Sequence, residues 1–78
     1  MFYEIEIQRN KDNVESKGMY SYNTRDEAIA VFHTKMASGI TAGRAGNLNY
    51  VLNMVINDAG TTVALETWTA PEPEPNEE

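Results

Sequence analysis

The run TAGRAGN, residues 41–47, holds the residue types best suited to anion contact in this chain. Gly43 and Gly46 lack a Cβ, so backbone amides there can approach a ligand closely, and Arg44 between them can grip a phosphate or carboxylate. Four more cations, Arg9, Lys11, Lys17 and Arg25, lie in or beside a second polar stretch at 9–18. If the two stretches meet at one end of a sheet, or across a dimer, these cations converge on a small anionic molecule. Tyr20, Tyr22 or Tyr50 could then stack on a nucleotide base. The run is not a P-loop: the G-x-x-x-x-G-K spacing is missing, and the segment follows a helix where a P-loop precedes one. A flexible connection would have the same composition.

Other candidate chemistry is sparse. His33 is the only histidine. A catalytic histidine needs an orienting acid and a nucleophile or substrate in reach, and no G-x-S-x-G motif accompanies it. With no cysteine in the chain, thiolate metal sites and disulfides are excluded, and one histidine alone does not make a zinc site. Glu4 and Glu6 share a strand face about 7 Å apart, and Glu66 can join them across a sheet. Such carboxylates could serve glycoside hydrolysis or bind a hard cation, but a solvated strand face is the simpler expectation. Asp12-Asn13-Val14 lacks the ligand spacing of a calcium loop. No catalytic residue, metal site or cofactor is expected, and the chain reads as a binding protein and not an enzyme.

The formal net charge of −6 is concentrated at one end. Glu72, Glu74, Glu77 and Glu78 supply four of the twelve acids, so residues 1–70 carry eight acids against six bases. A nearly balanced domain is not a binder of long nucleic acid, which needs dense lysine and arginine. No window of about 18 apolar residues exists to span a membrane. MFYEIEIQRN alternates acidic with apolar residues and reads as a strand and not as a leader, which implies a cytoplasmic protein.

The elements that would position these residues follow from periodicity. Residues 2–8 alternate strictly and predict a strand. Residues 9–18 read as a loop, and 19–23 as a second short strand. Thr24-Arg25-Asp26-Glu27 is a capping box, followed by a helix over about 25–38 with a stripe of Ala28, Ile29, Phe32 and Met36. Gly39 is the expected stop, and 39–49 an irregular connection. Residues 50–56 and 61–69 predict a hairpin around Asn57-Asp58-Ala59-Gly60. From Ala70 the alternating proline and glutamate predict a disordered acidic tail over 70–78. The outline is an α+β domain over 1–69, β-β-α-β-β, with a four-stranded, mostly antiparallel sheet and one amphipathic helix on one face.

The helix stripe is expected to meet the more apolar sheet face: Ile5, Ile7, Tyr20 or Tyr22, Leu52, Met54, Ile56, Val63 and Leu65. Phe2, Glu4, Glu6, Val51, Asn53, Val55, Ala64, Glu66 and Trp68 then form the other face. If Phe2, Val51, Val55 and Trp68 cluster there, a homodimer would cover them.

The run EIQRNKDNVESKGMYSYNTRDEAIAVFHTKM resembles small phage and prophage proteins of gut Firmicutes, over about the first half of the chain and more loosely through the hairpin. The resemblance transfers no site residue. It implies an accessory factor in a bacterial host cell, of a kind that often neutralises host defence. Two expectations follow. In one, a homo-oligomer sequesters a small anionic, nucleotide-like signal through Arg9, Lys11, Lys17, Arg25 and Arg44, with Tyr20 and Tyr22 stacking. In the other, the protein inhibits or adapts a host protein through its exposed sheet face or acidic tail.

Overall fold

The computed structural model describes residues 1–71. They form β1 (Phe2–Asn10), β2 (Glu15–Tyr22), α1 (Arg25–Arg44), β3 (Leu48–Asn57) and β4 (Thr62–Thr69). The strands make one antiparallel sheet in the order β2-β1-β3-β4. This is the expected α+β fold with one helix on one face. The acidic tail beyond Pro71 lies outside the described residues.

Residues 9–18 are not a loop. β1 and β2 pair from Phe2–Tyr22 to Arg9–Glu15 around a tight turn. That turn repeats the one at the other hairpin. Asn10 Oδ1 accepts from the amides of Asp12 and Val14, as Asn57 Oδ1 accepts from those of Ala59 and Thr61. The fourth residue of each turn is left-handed: Asn13 at φ 65° and Gly60 at φ 81°. Asparagine and glycine are the residues that tolerate this conformation, so N-K-D-N and N-D-A-G build the same device.

The helix also runs further than its composition suggests. Thr24 caps it: its Oγ1 accepts from the Glu27 amide at 3.2 Å and donates to the Glu27 carboxylate at 3.3 Å. The far end is a Schellman closure around Gly46 at φ 92°, with the Gly46 amide donating to Gly43 O and the Asn47 amide to Ala42 O. Gly46, not Gly39, is the stop. Gly39 and Gly43 are instead the surface on which the helix meets the sheet. A Cβ at Gly39 would lie 2.7 Å from Val51 Cγ1, and one at Gly43 would overlap the Trp68 ring. Two glycines cost a helix about 1 kcal/mol each relative to alanine. Close packing on Val51 and Trp68 offsets that cost.

The helix covers the face opposite to the one expected. Ala28, Phe32 and Val55 form a buried cluster, with Phe2, Tyr22, Ile29, Val63 and Ala64 packed against it. Val51 and Met36 are buried further along. The register steps from Val55–Ala64 to Ile56–Thr62, which leaves Val63 as an extra residue on β4. Phe2, Val51, Val55 and Trp68 are therefore under the helix and need no partner. Ile5, Ile7, Leu52, Met54 and Leu65 lie on the uncovered side by strand alternation.

Candidate functional site

The open face can be read row by row from the register. The first row is Glu15, Arg9, Tyr50 and Thr69 across β2, β1, β3 and β4. The second is Lys17, Ile7, Leu52 and Thr67; the third is Met19, Ile5, Met54 and Leu65; the fourth is Ser21, Tyr3, Ile56 and Thr62. The middle two rows of the two central strands are entirely aliphatic or methionine. At their flanks Met19 is 63% exposed and Leu65 56%. No element of the described residues lies over them.

One end of this face is charged and aromatic. The Arg9 guanidinium sits over the Tyr50 ring, 5.1 Å from its centre, a cation–π arrangement. Glu15 bridges Arg9 at 3.9 Å and Lys17 at 3.6 Å. All three charged groups are solvent-accessible, so these bridges contribute little to stability. They hold the cations side by side while leaving their donors open.

The residues expected to hold an anion divide by this geometry. Arg9 and Lys17 meet on the open face. Lys11 is exposed in the adjoining turn. Arg44 is at the same end of the molecule, because α1 runs back toward the β1–β2 turn, but it is the last residue of the helix, on the other side of the sheet. An Asn49–Asn13 side-chain contact at 3.5 Å ties the two connections together there. Arg25 begins a 20-residue helix, about 30 Å from Arg44 at 1.5 Å rise per residue. Strand alternation puts Tyr20 and Tyr22 on the helix side: Tyr22 packs on the core, and Tyr20 lies beneath Lys35. Tyr50 is the tyrosine that joins Arg9.

The covered face holds polar groups that the periodicity did not place there. Glu4 and Asn53 are 0% exposed, and neither side chain has a hydrogen-bond partner. Glu6 accepts from Lys35 Nζ at 2.7 Å, and the same ammonium lies 4.5 Å from the centre of the Tyr20 ring. Burial, then the charge of Glu6, pushes the Glu4 carboxyl above the ordinary carboxylate range, while Lys35 opposes both. The hydrogen bond to Glu6 raises Lys35 in turn. The expected solvated pair of glutamates is therefore a helix-covered cluster. Lys35 lies outside the stripe of Ala28, Ile29, Phe32 and Met36 that the apolar pattern marks. Its place one turn after Phe32 and beside Met36 was the signal that it faces the sheet.

His33 is exposed, with its ring edge-on to Phe32 at 5.1 Å. Among the described residues, no group of three or more histidine, aspartate or glutamate side chains is placed to hold a metal ion. No described helix is long and apolar enough to cross a membrane. A surface hollow of about 490 Å³ runs along Ala37, Ser38, Thr41, Ala42, Ala45 and Asn47. It is open to solvent and holds no charged side chain. No protein-family model, curated protein or solved structure matches the chain.

Proposed function

We propose that this is a non-enzymatic binding protein whose working surface is the open face of its sheet, docked against protein. The observation that carries the reading is the row pattern: Ile5, Ile7, Leu52 and Met54 at the centre, Met19 and Leu65 at the flanks, and charges only toward the ends, Arg9, Glu15 and Lys17 at one and the Met1–Asp58 pair beside Tyr3 at the other. An apolar centre with a polar rim is the anatomy of a protein-docking surface. Contiguous apolar patches of several hundred Å² are unusual on surfaces that bind nothing. In the setting that the phage resemblance implies, the protein is an accessory factor that works through protein contact at this face.

The test compares the wild-type protein with Ile5→Lys, and with Thr34→Lys on the exposed side of the helix as control, for partners retained from bacterial lysate and for co-purification of a differently tagged copy. A partner kept by wild type and Thr34→Lys but lost by Ile5→Lys is the expected result. Identical partners for all three would overturn the reading.

A second reading rests on the Arg9–Tyr50 pair. A guanidinium held over an aromatic ring, with Lys17 beside it, is a site for a small anionic ligand carrying a planar group. It is a reduced form of the nucleotide-sequestration expectation, with Tyr50 replacing Tyr20 and Tyr22 and without Arg25 or Arg44. Titration calorimetry with a panel of mono- and cyclic nucleotides, on wild type and Arg9→Ala, decides it: heat lost in the variant supports the site, and no heat from wild type ends it.

A further inference from the structure

We infer that the occupant of the open face is a second copy of this chain, giving a four-layer dimer of helix, sheet, sheet and helix. The inference rests on the reading of that face as the working surface and names its partner.

Self-complementarity is the main argument. In an isologous interface, residues near the two-fold axis meet their own copies. A charge at the centre would face itself at a cost. Here the centre is Ile5, Ile7, Leu52 and Met54, which meet copies of themselves without penalty. The charges at one end of the face, Arg9 and Lys17 with Glu15 between them, lie away from this centre, so the two-fold axis need not bring like charges together.

Dimensions agree. Four strands about 4.8 Å apart and four same-face rows about 6.8 Å apart span roughly 19 by 27 Å, or about 500 Å² of projected area. Two copies give about 1,000 Å², more once side-chain relief is counted, which reaches the range of specific interfaces. Branched aliphatic and methionine side chains are also what fills the ~10 Å gap between stacked sheets. The covered face shows why the chain needs this. Its single helix rests on Glu4, Glu6 and Asn53 as well as on apolar groups, while the uninterrupted apolar rows of Ile5, Ile7, Leu52 and Met54 lie on the side that no described element covers. Small chains without disulfides commonly complete their core by association.

The experiment is sedimentation equilibrium on the full chain from low to high micromolar concentration, on wild type, Ile5→Lys and the Thr34→Lys control. Circular dichroism confirms that each variant folds. Wild type and Thr34→Lys should dimerise, and Ile5→Lys should dimerise on the order of a hundredfold more weakly, since the substitution enters twice at the centre of the patch. If Ile5→Lys fails to fold, the absence of cysteine supplies a second route. Single-cysteine variants Ile5→Cys, Ile7→Cys, Leu52→Cys and Met54→Cys are oxidised beside Thr34→Cys. At least one central position should give a covalent dimer, and Thr34→Cys should not. A wild type that is monomeric throughout overturns the inference; a face-dependent partner from lysate would then leave the docking reading standing, and its absence would remove both. A dimer that survives Ile5→Lys, with no central crosslink, also overturns the inference and points to pairing of the edge strands.

Discussion

The two faces of one sheet are occupied in the opposite sense to their hydrophobicity. The helix-covered face carries Glu4, Glu6, Asn53 and Glu66 among its strand residues; the open face keeps Ile5, Ile7, Leu52 and Met54 together at its centre. Hydrophobicity alone would seat the helix on the second. What seats it on the first is shape and a single cation. Gly39 and Gly43 fit the helix to Val51 and Trp68, Phe32 fills the space over Val55, and Lys35 reaches Glu6. The lesson is that a face can be chosen by the detail of one helix. The more apolar surface then becomes the exposed one, available for association.

The difference between the faces is broken most severely from the covered side. Phe32 is buried at the centre of the cluster, and Phe32→Ala should destabilise by about 3–5 kcal/mol. That is a large part of the stability a small domain possesses, so the variant should be largely unfolded in urea concentrations where wild type is native. Leu65→Ala on the open face removes similar apolar bulk at a position already 56% exposed. It should change the stability of the isolated fold by well under about 1 kcal/mol. Equal losses in urea unfolding, measured at a concentration low enough to separate any dimer, would mean that the faces have been assigned wrongly.

A smaller effect tests the fit of the helix. Gly43→Ala gains helix propensity of about 1 kcal/mol but drives a methyl group into the Trp68 ring. Overpacking of this kind costs about 1–3 kcal/mol, so the net change should be neutral to destabilising, with a shift in Trp68 fluorescence. A stabilised variant with unchanged fluorescence would show that the glycine serves no close approach.

The sequence carried the element types because periodicity and capping are local. Strict alternation over FYEIEIQ and the T-R-D-E box were sufficient for β1 and for the start of α1. Two local signals went unread. N-K-D-N mirrors N-D-A-G only when asparagine is counted as a left-handed residue; otherwise the connection of the first hairpin reads as a loop over 9–18 where the structure has a tight turn. Gly39 looked like a stop because a glycine inside a helix and a glycine after one are the same letter; only the contact with Val51 separates them. The choice of face was not local at all. It depended on which strand residues sit opposite Gly39, Gly43 and Lys35 at three dimensions' remove. The site followed the same rule. Arg9, Lys11 and Lys17 were near in sequence and stay near in space, whereas joining Tyr50 to Arg9 required the β1–β3 register, and Arg25 was lost to the length of the helix.

The buried carboxyl of Glu4 gives the last and subtlest way to sharpen the contrast, since nothing like it exists at the centre of the open face. Burial and the neighbouring charge of Glu6 raise its pKa in the folded chain, with Lys35 acting the other way. The folded state then holds this proton more tightly than the unfolded state. By linkage, the stability it contributes is fully present below the ordinary glutamate range and is lost as pH rises through the elevated value. Asp58 acts in the opposite sense and in a lower window. Its carboxyl is held below the ordinary aspartate range, chiefly by the hydrogen bond from the Met1 ammonium, so its contribution is lost as pH falls. The two slopes are therefore separable. Glu4→Gln, which keeps the shape and removes the titration, should match wild type near pH 4, become progressively the more stable protein as pH rises above the ordinary glutamate range, and flatten the decline. Urea midpoints of both proteins over this rise in pH decide the point. Parallel curves would mean that Glu4 is ionised in the fold and that Lys35 neutralises it together with Glu6.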